Sequence, residues 1–170
     1  MKGNSTNYGT LARLLHWTSA TLIIVLWIMG KVMTNGEVAQ LYKAHAIIGL
    51  FVLVLTIIRI IWIFMDNRPD ELSMPNWRKQ LFVWNHRLIL LVTLLLTVSG
   101  VSMLLLSGIP LFPVTVSPEL IKDVPPVVVH EVSSLLMLLL FLMHVGGLFH
   151  YQFTEGDTLS RMGLNIFNKK

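Results

Sequence analysis

The sequence predicts an all-α integral membrane protein, a bundle of four membrane-spanning helices with both chain termini in the cytoplasm. Of its 170 residues, 54% are hydrophobic and only 13% are charged, whereas soluble domains carry about 25% charged residues. Four apolar segments are long enough to cross a hydrocarbon layer of about 30 Å as helices. At this length we expect a single domain, residues 1–170.

The first two predicted spans are bounded by residues that begin or end helices. The first covers about residues 11–33, with Thr10 as a candidate N-cap and a turn at Asn35-Gly36 after it. Its apolar run is too long for a signal peptide, and no cleavage-site pattern follows. The second covers about residues 40–65 and stops at Asp66 and Pro69.

The third predicted span covers about residues 81–107, after a polar loop that reaches about Lys79, and it ends at Gly108 and Pro110. The connection that follows contains three prolines. We therefore expect an ordered loop at the membrane surface.

The fourth predicted span covers about residues 124–153 and carries Pro125 and Pro126 in its first turn, where a missing N–H does no harm. Asp123 is a candidate N-cap for this helix. In the polar tail beyond it, a few apolar residues suggest a short surface helix (Leu164, Ile166, Phe167).

Ten of the 13 lysines and arginines fall on one predicted side of the membrane. They are Lys2, Arg13, Arg59, Arg68, Arg78, Lys79, Arg87, Arg161, Lys169 and Lys170, against Lys31, Lys43 and Lys122 on the other side. The positive-inside rule then places both termini in the cytoplasm. This placement accounts for the net charge of +4, so we expect a membrane lipid environment and no nucleic-acid partner. Trp17, Trp62, Trp77 and Trp84 fit aromatic belts at the interfaces.

Two histidines mark the fourth span as the centre of the functional hypothesis. His130 and His144 are fourteen residues apart, which on a helix puts both imidazoles on the same face, about 21 Å apart along the axis. Ring nitrogens at membrane depth are candidate functional groups by default. The spacing predicts two sites stacked across the bilayer.

The remaining histidines are sorted by depth. On the periplasmic side only His45 is available to pair with His130. On the cytoplasmic side His150 is rotated away from the face of His144, so His144 is the better ligand candidate. Its partner is His16 or His86, and periodicity does not choose between them. For His86 and His150 the simpler interpretation is a hydrogen-bonded or interfacial side chain.

Further residues at the same spacing support a shared inner face. Arg59 is fourteen residues after His45; it either reaches the headgroups or binds an acidic group of a cofactor or an anionic redox partner. Gly30 and Gly100 follow His16 and His86 by the same interval. Glycines there would leave room for a flat macrocycle at periplasmic depth.

The available ligand types favour a haem site over other kinds of metal site. There is no cysteine, which excludes disulfides, thiolate metal sites, covalent haem attachment and cysteine-ligated iron–sulfur clusters. A zinc or copper site usually has three or four protein ligands, and the spans offer almost no carboxylates. Two imidazoles at each depth suit a porphyrin, which brings its own four equatorial nitrogens. With both axial positions filled, electron transfer is favoured over oxygen activation.

Several short motifs carry a family resemblance. They are Arg13-Leu14-Leu15-His16-Trp17, Lys43-Ala44-His45 with Gly49, Asn85-His86-Arg87, and His130-Glu131 with His144. With them, nearly the whole chain resembles the prokaryotic cytochrome b561 family, small four-helix proteins of the bacterial inner (cytoplasmic) membrane that hold two b-type haems. The resemblance implies bis-histidine ligation by His16 with His144 and by His45 with His130.

The resemblance also implies electron exchange with quinone, and in one branch of the family superoxide is oxidised and ubiquinone reduced. The leading hypothesis is therefore a diheme oxidoreductase working between a small periplasmic donor, such as superoxide, and membrane quinone. The haems carry the redox step, so no catalytic side chain is predicted. Lys31, Lys43 and Lys122 would attract an anionic donor, and Glu131 is a candidate proton relay.

Two other function classes are compatible with these residues. One is a haem-b membrane-anchor subunit that relays electrons from a partner dehydrogenase or hydrogenase to quinone. The other is a metal-ion carrier or a purely structural bundle. Haem content and turnover by the isolated chain distinguish the three.

Overall fold

The chain folds into a helical bundle, seen in a computed structural model that describes residues 2–35, 39–67, 69–70, 74–116, 118–156 and 158–164. Throughout these ranges the regular secondary structure is helical. The elements are α1 (Thr10–Asn35), α2 (Ala39–Met65), α3 (Asn76–Leu106), α4 (Pro118–Ile121), α5 (Pro126–Thr154) and a 3-10 helix (Ser160–Met162). The helices α1, α2, α3 and α5 are long and apolar enough to cross a membrane, which confirms the predicted four-helix membrane bundle.

The largest boundary difference concerns α3, which begins at Asn76, about five residues before the predicted start. Pro75 occupies its N-cap position, and the N–H of Lys79 donates to the Pro75 carbonyl at 3.1 Å. The added turn is polar, so the hydropathy of the span gave no sign of it. Within this turn Arg78 forms an ion pair with Glu155, which joins the start of α3 to the end of α5.

Both predicted side-chain N-caps are wrong. The N–H of Arg13 donates to the carbonyl of Gly9 at 3.0 Å, so Gly9 precedes α1 as its cap and Thr10 is already helical. No side chain caps α5, whose N-cap is Pro125 in helical conformation. Pro126 lacks an N–H, so this helix start has fewer donors for a residue such as Asp123 to satisfy.

The connection between α3 and α5 closes one end of the bundle. Ile109, Val114 and Val116 are buried there and pack with Leu104. Partly buried residues surround this group: Tyr42, Ala46, Leu50 and Ile121. The predicted loop is therefore anchored by apolar contacts, and it contains the short helix α4.

A second apolar group lies midway along the bundle. Val92 of α3 packs with Met137 and Leu140 of α5, and Ile23, Ile89 and Leu96 pack against these three residues. We call Val92, Met137 and Leu140 the central cluster. The most extensive helix packing is between α3 and α5, followed by α1 with α2 and α2 with α3.

Three buried threonine hydroxyls on these helices are satisfied within their own helix. The hydroxyls of Thr56, Thr93 and Thr97 donate to the carbonyls four residues earlier, at 2.7, 2.7 and 3.0 Å. Because the bilayer core offers no water, such internal hydrogen bonds are what allow a polar side chain inside a membrane helix.

The two ends of the chain meet at one end of the bundle. The N–H of Tyr8 donates to the carbonyl of Arg161 at 3.1 Å, and the N–H of Asp70 donates to the carbonyl of Ser5 at 2.9 Å. We call this end of the bundle the terminal end and the opposite one the distal end.

Some predicted features lie outside the described residues. They are Gly36 of the predicted turn, Ile166 and Phe167 of the predicted tail helix, and Arg68, Lys169 and Lys170 of the charge count.

The 3-10 helix that follows α5 packs against α1. The indole N–H of Trp17 on α1 donates to the carbonyl of Met162 at 3.1 Å.

Candidate functional site

Five of the six histidines come together in two groups, one at each end of the bundle. His45 of α2 faces His130 of α5 at the distal end. At the terminal end His16 of α1 and His86 of α3 both face His144 of α5. We call His45 with His130 the distal pair, and His16 with His144 the terminal pair.

The distal and terminal pairs have nearly the same spacing. Their ring centroids are 6.2 and 6.1 Å apart. A metal–imidazole nitrogen bond is about 2.0 Å long and the nitrogen lies about 1.1 Å from the ring centre, so two imidazoles on opposite sides of one ion have centroids about 6 Å apart. Each pair therefore has the spacing of two axial ligands.

Hydrogen bonding holds the ring of His130 in one orientation. Its Nδ1 lies 3.0 Å from the carbonyl oxygen of Leu96 and 3.1 Å from Oγ of Ser99. Because a carbonyl oxygen can only accept, Nδ1 carries the proton of the neutral ring and donates it to Leu96. The lone pair is then on Nε2, and a second hydrogen bond of this kind is how proteins orient metal-binding imidazoles.

Two glycines lie directly beside the distal pair. A Cβ at Gly100 would lie 3.4 Å from Cε1 of His130, and a Cβ at Gly30 would lie 3.8 Å from Cε1 of His45. Both glycines are thus at the depth that their spacing predicted. In addition, Nδ1 of His45 is buried without a hydrogen-bond partner among the described residues, an unsatisfied polar atom at the same place.

At the terminal end, His16 and His86 differ in their geometry toward His144. The centroids of His86 and His144 are only 4.7 Å apart, with the rings nearly perpendicular, which is too close for a metal ion between them. His86 also donates from Nδ1 to the carbonyl of Phe82 at 2.7 Å. Of the two candidates that periodicity left open, His16 therefore has the ligand spacing, and His86 packs against the ring of His144.

Arg59 contacts the terminal pair directly. Its Nη2 lies 3.0 Å from Nδ1 of His16, and a guanidinium has only donors. In this contact Nδ1 of His16 accepts, so the proton of the neutral ring is on Nε2. A metal ion at Nε2 requires the opposite tautomer, and the Arg59 contact and ligation through Nε2 therefore exclude each other.

Two further polar atoms at the terminal end are buried without a hydrogen-bond partner among the described residues, Nε1 of Trp62 and Oγ of Ser19. Trp62 lies one helical turn beyond Arg59, and Ser19 one turn beyond His16, so each shares a helix face with a site residue. The side chain of Trp62 is only partly buried, but its indole N–H is buried. An acceptor on a bound group would satisfy this donor.

The structure leaves two sequence candidates outside these groups and adds one residue. His150 is exposed, with Nδ1 3.3 Å from the hydroxyl of Thr154, and Glu131 is exposed beside His130. Ser99 was not predicted. Its position next to Gly100, at the predicted depth of a ligand, is the sequence signal that could have pointed to it.

The donor set fits a porphyrin. Within the described part of the chain, no three His, Cys, Asp or Glu side chains converge as a metal-binding group. The available ligands are pairs of imidazoles, and haem needs only two axial ligands because its macrocycle supplies the remaining four nitrogens. The glycines beside the distal pair and the unsatisfied donors at the terminal end agree with a flat group that carries acceptors.

Four membrane-length helices around facing histidine pairs define a multi-pass membrane protein of the b-type cytochrome class. The chain belongs to the prokaryotic cytochrome b561 family, whose model matches residues 7–164, and this confirms the family resemblance of its motifs. Membership of this family implies that the chain is a membrane protein that transfers electrons through haem b. A comparison with curated proteins gives no significant match.

Proposed function

We propose that the protein is a diheme cytochrome of the bacterial inner membrane that passes electrons from a small donor at one face to quinone in the membrane. The observation that supports this most directly is the equal spacing of the two histidine pairs, 6.1 and 6.2 Å, at opposite ends of the bundle. His16 and His144 would hold one haem b, and His45 and His130 the other. Both chain termini are then cytoplasmic, as the positive charges favour.

When bound, haem b supplies one-electron transfer. At each site the two imidazoles would hold the iron, which would favour electron transfer over oxygen binding. The Leu96 carbonyl and Ser99 keep the ring of His130 in one orientation. Between the two sites the central cluster is buried and apolar, which keeps water out of the middle of the bundle.

Arg59 is proposed to change partner when the terminal haem binds. Ligation through Nε2 of His16 puts a proton on Nδ1, which can no longer accept from the guanidinium. Arg59 would then donate to the carboxylates of the haem, an arrangement stronger than a neutral hydrogen bond. The unsatisfied N–H of Trp62, one turn further along α2, is a second donor for the same groups.

This role predicts the effect of Arg59→Gln. Loss of a partly buried cation beside the terminal pair favours the oxidised, more positive haem, so its midpoint potential should fall by on the order of 50 mV. Redox titration of the purified protein measures the shift. Arg87→Gln is the matched control, since Arg87 lies over the ring of Trp84 and is exposed. Equal potentials in wild type and Arg59→Gln would contradict the proposal.

Superoxide is the proposed donor. Each superoxide ion gives up one electron and leaves as dioxygen, and two such electrons with two protons reduce quinone to quinol. Three lysines are predicted at the periplasmic face. Lys122 pairs with Glu119, and Lys31 lies over the ring of Trp27. Lys43 is exposed, one turn from the start of α2 and two residues before His45. The variant Lys43→Gln therefore tests whether this positive charge attracts superoxide to the distal pair.

The proposed function is tested by haem quantification and turnover. A pyridine haemochrome assay on the purified chain should give about two haem b per chain, and superoxide should drive reduction of ubiquinone. Haem that is reducible without any superoxide-dependent turnover would instead favour the membrane-anchor subunit and a partner enzyme. A folded protein without haem would refute both.

A further inference from the structure

A polar cavity of about 780 Å³ lies at the terminal end of the bundle, outside both histidine pairs. Three separate parts of the chain line it: the N-terminal segment with the start of α1, Asp70, and the 3-10 helix with Gly163. These parts are joined by backbone hydrogen bonds from Tyr8 to Arg161 and from Asp70 to Ser5. The folded chain therefore creates this cavity by bringing the three parts together.

The lining of this cavity is cationic and rich in donors. Among the described residues that line it, Lys2, Arg13 and Arg161 are cationic and Asp70 is the one acidic residue. Arg161 is held in place because its Nη1 donates to the carbonyl of Asp70 at 2.7 Å. The first turn of α1 also borders the cavity at Thr10, and the first N–H groups of a helix have no acceptor within the helix.

Gly163 brings Arg13 to the cavity wall. It has a left-handed backbone, φ +83°, and a Cβ built on it would come within 2.7 Å of Nη1 of Arg13. Only a residue without a side chain lets the 3-10 helix and the guanidinium approach this closely. The two arginines therefore face one space from two different elements.

The membrane side of this cavity is apolar. Leu14 follows Thr10, and Trp17 follows Arg13, by four residues, so each lies one turn further along the same face of α1. Leu14 is 60% exposed and Trp17 36% exposed. Deeper on this helix Ile24 and Ile28 are exposed as well. A cationic cavity thus continues directly into an uncovered apolar surface.

We infer that the cavity binds the phosphate of an anionic phospholipid, with an acyl chain lying along Leu14 and the exposed face of α1. The phosphodiester accepts hydrogen bonds from Arg13, Arg161 and the start of α1, while Lys2 adds charge. A soluble phosphate uses the same donors but gains nothing from the apolar surface. This lipid site does not depend on haem ligation by the histidine pairs, nor on which molecules donate or accept the electrons.

The test is native mass spectrometry of the purified holoprotein in detergent, titrated with phosphatidylglycerol and, in parallel, with phosphatidylcholine. One phosphatidylglycerol per chain should be retained in preference to phosphatidylcholine. In Lys2→Gln/Arg13→Gln the affinity for phosphatidylglycerol should fall about 30-fold, given the usual contribution of each basic residue at a membrane surface. The control is Arg87→Gln, which removes a positive charge at the terminal end but outside the cavity. It should leave the affinity for phosphatidylglycerol unchanged.

Haem content and spectrum of each variant report whether the bundle is intact. Should the double variant fail to fold, Lys2→Gln alone changes an exposed side chain and should weaken binding about 5-fold. Equal retention of phosphatidylglycerol by wild type and by the variants would overturn the inference. Displacement of the lipid by millimolar inorganic phosphate would also overturn it, in favour of a soluble phosphate ligand.

Discussion

Replacing His144 with alanine should lower the haem content from about two to about one haem b per chain. The ring of His144 lies 6.1 Å from that of His16, so under the proposed pairing its loss would remove one of the two residues that hold the terminal haem and leave a cavity in its place. His45→Ala should remove the other haem. Pyridine haemochrome quantification gives the number lost, and redox-resolved difference spectra show that a different haem disappears in each variant.

Two further substitutions make this experiment specific. His150→Ala should retain both haems because His150 is exposed. His86→Ala should also retain both, since its ring is packed 4.7 Å from that of His144 and is not at ligand distance. If His86→Ala lost one haem while His16→Ala kept two, the proposed pairing at the terminal end would be wrong.

Gly100→Leu should abolish binding of the distal haem while the terminal haem remains. A Cβ at Gly100 already lies 3.4 Å from Cε1 of His130, and the branched carbons of leucine must enter the space between α3 and the distal pair. Leucine is the better helix former by about 0.8 kcal/mol, so a weaker α3 would not explain the loss. The measurement is the haem content with the potential of the haem that remains.

Gly146→Leu is the matched control for Gly100→Leu. A Cβ at Gly146 meets no atom within 4 Å, and the residue is exposed on α5, so both haems should be retained. Retention of both haems in Gly100→Leu as well would show that the cofactor does not occupy the space beside Gly100. The proposed distal site would then have to be abandoned.

The four spans were predictable because the bilayer restricts what a chain can do there. Each backbone N–H and C=O in hydrocarbon needs an internal partner, so an apolar segment of sufficient length becomes a helix whatever its neighbours are. The polar first turn of α3 escaped prediction for the same reason. It lies outside the apolar span and is held by an ion pair between Arg78 and Glu155, which are distant in sequence.

The membrane fold, the family and the depth of each histidine follow from the sequence, because depth depends on position along a single helix. What each side chain faces follows from the packing of the helices. This packing brought His16 to ligand spacing and His86 into ring contact with His144, and it set Arg59 against His16. It also assembled the cationic cavity from both ends of the chain. Contacts of this kind depend on how each helix is rotated and placed against the others, and the spacing of residues along one helix carries no information about that.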